Sequence, residues 1–176
     1  MRASLRCLAV CVFLTATGVS ACHARSRVWE AQVRQVRNAP CFAIADSPDA
    51  RDHAAEIGAL SVFEAAPGGR EVWALESSRS GGLVVPAGEC LEYGDERLGA
   101  KTIIPSSPLT AGKAYGLSIN AKVNGNSPSK SYRAYFCLIP RASGNPVVHQ
   151  VQWDGRTEQW RWDVCDLPNE LSRPDV

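Results

Sequence analysis

Read for the alternation of apolar and polar positions, the chain past residue 28 is a series of short period-two runs broken by Gly, Pro, Asn and Asp. The clearest run is Lys113 to Asn124. There Tyr115, Leu117, Ile119, Ala121 and Val123 share one face, and Ser118, Asn120, Lys122 and Asn124 share the other. Residues 124–130 (Asn-Gly-Asn-Ser-Pro-Ser-Lys) supply a turn, and Tyr132, Ala134, Phe136 and Leu138 repeat the alternation, which predicts a hairpin. Val147, Val148, Val151 and Trp153 lead through Asp154-Gly155 to Trp160, Trp162 and Val164, a second hairpin whose aromatics are expected to close the core.

Upstream, strands are predicted at Trp29 to Val36, Cys41 to Ala45, Ile57 to Glu64, Glu71 to Glu76 and Glu89 to Tyr93. Pro67-Gly68-Gly69 and Gly81-Gly82 punctuate them. Ser47-Pro48-Asp49 can cap a short helix running to Glu56, with Gly58 after its end; a loop is the alternative. Eight or so short strands predict an all-β, single-domain antiparallel sandwich. An immunoglobulin-like topology is one form of it, although the Cys, Trp and Cys spacing of true immunoglobulin domains is not evident.

The N-terminus breaks this pattern. Arg2 and Arg6 precede a run from Cys7 to Val19 without a charged side chain, the form of an export signal too short to span a bilayer. It ends in Val19-Ser20-Ala21-Cys22, similar to the lipobox of bacterial lipoproteins, in which the cysteine sulfur becomes a thioether to diacylglycerol. The expected organisation is a signal at 1–21, a short tether at 22–27, a β domain at 28–166 and a tail at 167–176. An ordinary signal cut after Ala21 or Ala24 is the alternative. Several acyl chains on Cys22 would make attachment permanent. With His23 following Cys22, the analogy with enterobacterial sorting points to the inner leaflet of the outer membrane, facing the periplasm.

Loss of the leader leaves 155 of 176 residues, enough for one domain. They carry 17 basic and 18 acidic groups, which gives no support to nucleic-acid binding. Cys7 and Cys11 leave with the signal and Cys22 takes the lipid, so Cys41, Cys90, Cys137 and Cys165 remain, an even set that reads as two disulfides. Strand parity permits Cys41 with Cys90 and Cys137 with Cys165, the pairing that joins cysteines nearest in sequence. Cys-x-x-Cys spacing is absent and neither His53 nor His149 lies at ligand spacing from a cysteine, so no metal is expected.

Catalysis finds little footing. His53 and His149 lack partner residues in the sequence for a nucleophile and base. Asp95-Glu96 and Asp163 with Asp166 have nothing to fix a glycosidase geometry. Gly68-Gly69 and Gly81-Gly82 lack the strand-to-helix setting of a phosphate loop. The chain is therefore expected to be no enzyme and to hold no cofactor. Core packing is expected for most of the five tryptophans, Trp29 and Trp73 included. Trp153 or Trp160 beside Arg156 is the candidate anchor for a protein partner, because Trp and Arg dominate interface hot spots.

The lipobox, Cys41-Phe42, residues 89–94 (Glu-Cys-Leu-Glu-Tyr-Gly), Pro108-Leu109, Tyr115 and Phe136-Cys137 together resemble a family of small periplasmic lipoproteins associated with type VI secretion immunity. The resemblance covers roughly residues 19 to 150. The end from Trp160 to Cys165, with its fourth cysteine, departs from the family pattern. The resemblance implies a β-rich binding protein that neutralises a toxin delivered to the periplasm; it carries over no contact residues. Alternatives are a lysozyme-inhibitor-like binding module, for which no motif is found, and a structural or assembly lipoprotein of the envelope.

Overall fold

A computed structural model describes residues 29–45, 48–77, 83–95, 100–125, 127–142 and 144–165. The leader, Cys22 and the tether with His23, together with Ser47, Gly81, Gly82, Glu96, Asp166 and the tail, lie outside the described residues. No helix among the described residues is long and apolar enough to cross a membrane.

Among the described residues eleven strands follow one another: β1 (Trp29–Val36), β2 (Ala39–Ile44), β3 (Ala55–Glu64), β4 (Glu71–Ser77), β5 (Leu83–Val85), β6 (Leu91–Glu92), β7 (Ala100–Ile104), β8 (Ala114–Val123), β9 (Lys130–Ile139), β10 (Val147–Asp154) and β11 (Gln159–Arg161). A short helix, α1 (Pro48–Asp52), separates β2 from β3, and a 3-10 turn, Trp162–Cys165, closes the described chain. The all-β class and both disulfides, Cys41–Cys90 and Cys137–Cys165, are as the sequence predicts. The cysteines are thereby committed to covalent pairs rather than to a metal.

The division into two packed sheets is not confirmed. One hydrogen-bonded network runs β6-β2-β1-β9-β8-β3-β4-β7, with β10 and β11 branching from β9 and β5 from β3. The ladder is antiparallel except between β1 and β9, which run parallel over two residue pairs, Trp29 with Tyr132 and Glu30 with Arg133. The sheet curls, so that β2 lies across its concave side: the Phe42 ring meets Trp73 of β4 at 6.2 Å and Phe136 of β9 at 5.7 Å. Around them pack the inward residues of β8 (Tyr115, Leu117, Ile119, Ala121, Val123) and β9 (Tyr132, Ala134, Phe136, Leu138), the alternation seen in the sequence. Burial of such faces is the main stabilising term of the fold.

The helix is shorter than its capping signals predict. Ala55 and Glu56 are not in it; β3 begins two residues ahead of the predicted Ile57, and Ala55 points into the core, paired with Val123 on one side and with Val85 on the other. Two ladders of strand hydrogen bonds outweigh a weak helical preference. The strand predicted from Glu89 to Tyr93 reduces to Leu91–Glu92. Tyr93 instead caps the concave side: its hydroxyl, with a single proton, is shared between the carbonyl oxygens of Ser107 at 2.6 Å and Val72 at 3.1 Å.

Burial pushes the Tyr93 phenol up to about 12. A raised folded-state pKa gives stability that is whole below the unfolded value near 10 and is lost as pH climbs from about 10 to about 12. Tyr93→Phe should therefore lower the urea midpoint at neutral pH and flatten its decline across that alkaline window. A variant declining as steeply as the wild type would show that another group governs the loss.

The seam between β1 and β10 is built from side chains. Both strands use the same edge of β9: β1 pairs with residues 132–133 and then bends away, while β10 pairs with residues 135–139. Two glutamines fill the gap with their carboxamides. The Val33 N–H donates to Gln150 Oε1 at 2.6 Å, and Gln150 Nε2 donates to the Ala31 carbonyl at 3.0 Å and to Glu30 Oε1 at 3.3 Å. Reciprocally, the Val148 N–H donates to Gln35 Oε1 at 3.2 Å and Gln35 Nε2 donates to the Pro146 carbonyl at 3.3 Å. A carboxamide offers one donor end and one acceptor end, as a peptide group does, so it can continue a ladder where backbones are too far apart. Gln150→Leu leaves the buried Val33 N–H without an acceptor and should cost about 1–3 kcal/mol. Hydrogen exchange at Val33 should accelerate with it; unchanged exchange at that amide would show that the seam does not rest on Gln150.

Candidate functional site

Strand alternation sends a second set of side chains to the convex face. Two of the three residues singled out from the sequence meet there: Trp153 on β10 and Trp160 on β11 are cross-strand partners with ring centroids 5.2 Å apart. The third, Arg156, is exposed in the connecting turn. Its backbone N–H donates to Asp154 Oδ1 at 2.8 Å, which fixes the turn and holds the Asp154 carboxyl below its usual range. Glu158 takes a left-handed conformation, φ 51°, before the chain returns.

Three further aromatics extend this pair. Tyr135, on the outward parity of β9, lies 5.0 Å from Trp160 and 5.2 Å from Trp162. On its other side it meets the edge of Phe63 from β3 at 6.4 Å. Phe63 reaches Tyr135 because the intervening residue on β8 is Gly116; a Cβ there would come within 2.3 Å of the Phe63 ring. An aromatic band therefore crosses the convex face from β3 to β11. Phe63, Tyr135, Trp160 and Trp162 are half-buried, whereas Trp153 is 45% exposed at the end of the band.

Of the hairpin aromatics expected to close the core, Trp160 and Trp162 do so over a smaller cluster only, and Trp153 does not. Only Trp73 among the five tryptophans is fully enclosed in the main core; Trp160 and Trp162 pack on a second, smaller cluster of Ala65, Ala114, Cys137, Val151 and Cys165, and Trp29 is 38% exposed. Phe63 and Trp162 were not singled out as part of a site. The signal available for them was parity alone, Phe63 lying opposite Val62 and Tyr135 opposite Ala134 and Phe136.

The second disulfide holds the band in place. Cys137 of β9 faces outward and bonds Cys165, which pins the 3-10 turn carrying Trp162 against β9. Cys165 thus does not stand on a strand face with Arg161, as a continued strand parity would place it, because the chain has already left the strand. Arg161 donates to Asp163 Oδ2 at 3.1 Å along the rim, and this partner keeps the Asp163 carboxyl below its ordinary range.

Beside the band the same face carries a shallow trough of about 300 Å³, floored by Ala59, Ser61, Ala74 and Ser118. On the concave side a hollow bordered by Phe42, Ile57 and His53 holds only about 20 Å³, room for a water rather than a ligand. His53 and His149 are both exposed, His53 just after α1 and His149 on β10. Among the described residues no three His, Cys, Asp or Glu side chains gather as a metal site. The arrangement suits contact with a macromolecule: a rigid aromatic surface with a charged rim. Compared with family models, curated proteins and solved structures, the chain matches none.

Proposed function

We propose that the chain is a lipid-anchored periplasmic protein that binds and neutralises a protein toxin, acting as a non-catalytic immunity protein. The observation that supports this reading best is Trp153, nearly half exposed at the end of an aromatic band that a disulfide holds rigid. An indole costs energy to leave in water, and a preorganised aromatic surface loses little entropy on binding. Lipid at Cys22 would keep such an inhibitor concentrated at the envelope, where a delivered toxin arrives.

The test is to identify the genes flanking its own and to co-express this chain with any secreted protein encoded there, exported to the periplasm. Cells with this protein should survive and cells without it should die; equal killing overturns the reading. Trp153→Ala should weaken toxin binding roughly 30-fold or more, the scale of a hot-spot loss of about 2 kcal/mol. Cys22→Ser should move the protein from the membrane to the soluble periplasmic fraction, and unchanged fractionation would refute the anchor.

A further inference from the structure

The second exposed tryptophan belongs to a different surface. Trp29 opens β1 and pairs with Tyr132 near the start of β9, so it stands at the end of the sheet from which the chain leads back towards Cys22. It keeps the inward parity of Ala31 and Val33 but lies beyond the core and is 38% exposed. The ammonium of Lys130, the first residue of β9, sits 4.3 Å over its ring.

Resting on the lipid-anchor reading, we propose that this end of the sheet lies against the phospholipid bilayer, with the Trp29 indole and Lys130 at the level of the headgroups. The length of chain carries the argument. Trp29 follows Cys22 by seven residues, and a fully extended chain spans at most about 3.3–3.6 Å per residue, so Trp29 lies within about 25 Å of the lipidated sulfur. That is less than the thickness of one hydrocarbon core. An indole favours the boundary between apolar chains and water, and a lysine stem can follow it while its ammonium meets phosphate. Glu30 and Glu56 share this end with Lys122, Lys130 and Arg133, so a single excess positive charge accompanies the ring, and contact depends on the ring more than on net charge. The aromatic band, on the convex face, then stands to the side of the contact and stays open to a partner.

The experiment uses the processed protein reconstituted in phosphatidylethanolamine and phosphatidylglycerol vesicles containing lipids brominated at shallow or deep acyl positions. Mass spectrometry of the Cys22 peptide establishes lipidation first. Tryptophan emission should be quenched by the shallow bromines more than by the deep ones. That quenching should vanish in Trp29→Phe and persist in Trp153→Phe, with near-ultraviolet circular dichroism confirming that each variant is folded. Trp29→Tyr serves equally if the phenylalanine variant folds poorly, since it also removes the reporting indole. Lipidated protein whose quenching is absent, or survives loss of Trp29, overturns this orientation while leaving the anchor intact. An unmodified Cys22 overturns both.

Discussion

Phe42→Ala should lower the unfolding free energy by about 3–5 kcal/mol, a large share of the roughly 5–15 kcal/mol that a domain of this kind possesses. Phe42 is wholly buried, and its ring meets Trp73, Tyr93 and Phe136, which come from three separate parts of the chain. Truncation opens a cavity that none of these rings can fill without leaving its own neighbours. Urea titration followed by circular dichroism measures the effect. Phe63→Ala is the comparison: the same truncation on the half-buried convex side should cost clearly less. If the two variants lose stability equally, β2 does not cross the concave side as described.

Replacing the second disulfide by Cys137→Ala with Cys165→Ala should cost about 2–4 kcal/mol, and the loss should be uneven over the molecule. Cys137 and Cys165 belong to the smaller cluster, not to the main core, so removal frees the 3-10 turn and loosens Trp160 and Trp162 first. Near-ultraviolet circular dichroism from the tryptophans should weaken at denaturant concentrations where the β signal is intact. Binding of the proposed toxin should fall with it, because preorganisation of the band is lost. Removing Cys41–Cys90 instead, which closes 49 residues against 28, should cost more by about 0.5 kcal/mol in loop entropy and leave the band unaltered. A coincident loss of both signals in the first variant would show that the band is no separate unit.

Most strands were legible because one face of each is dry. Period-two alternation located β8, β9 and β10, and a residue's parity told which side it faces. Leu83–Val85 and Ala100–Ile104 were not found, since three to five residues hold too little alternation to rise above a β-branched loop. The helix was overextended because local capping signals carry no information about strands that arrive later to pair with Ala55 and Glu56. Cysteine pairing was found by nearest-neighbour economy; strand parity permitted it, although for Cys165 the parity premise did not hold. The aromatic site was half legible. Trp153 and Trp160 announced themselves by residue type, but Phe63 joins them only through the bare backbone of Gly116, a neighbour in space that no sequence spacing reveals. The curl of the sheet was not legible either, because it depends on where β1 leaves the edge of β9.

The glutamine seam also sets the order of events when the chain is made. The first strand pairs with β2 directly after it, but its other edge is held by Gln150, 117 residues beyond Val33, so that edge is among the last to be satisfied. Contacts this distant in sequence slow folding, because the loop must close before any bond rewards it. On the proposed lipoprotein reading the chain is threaded across a membrane from its N-terminus, and that delay is useful. The hairpin of β1 and β2 can form early, but the sheet cannot close on the outer edge of β1 until nearly the whole polypeptide has passed, so the full fold follows translocation.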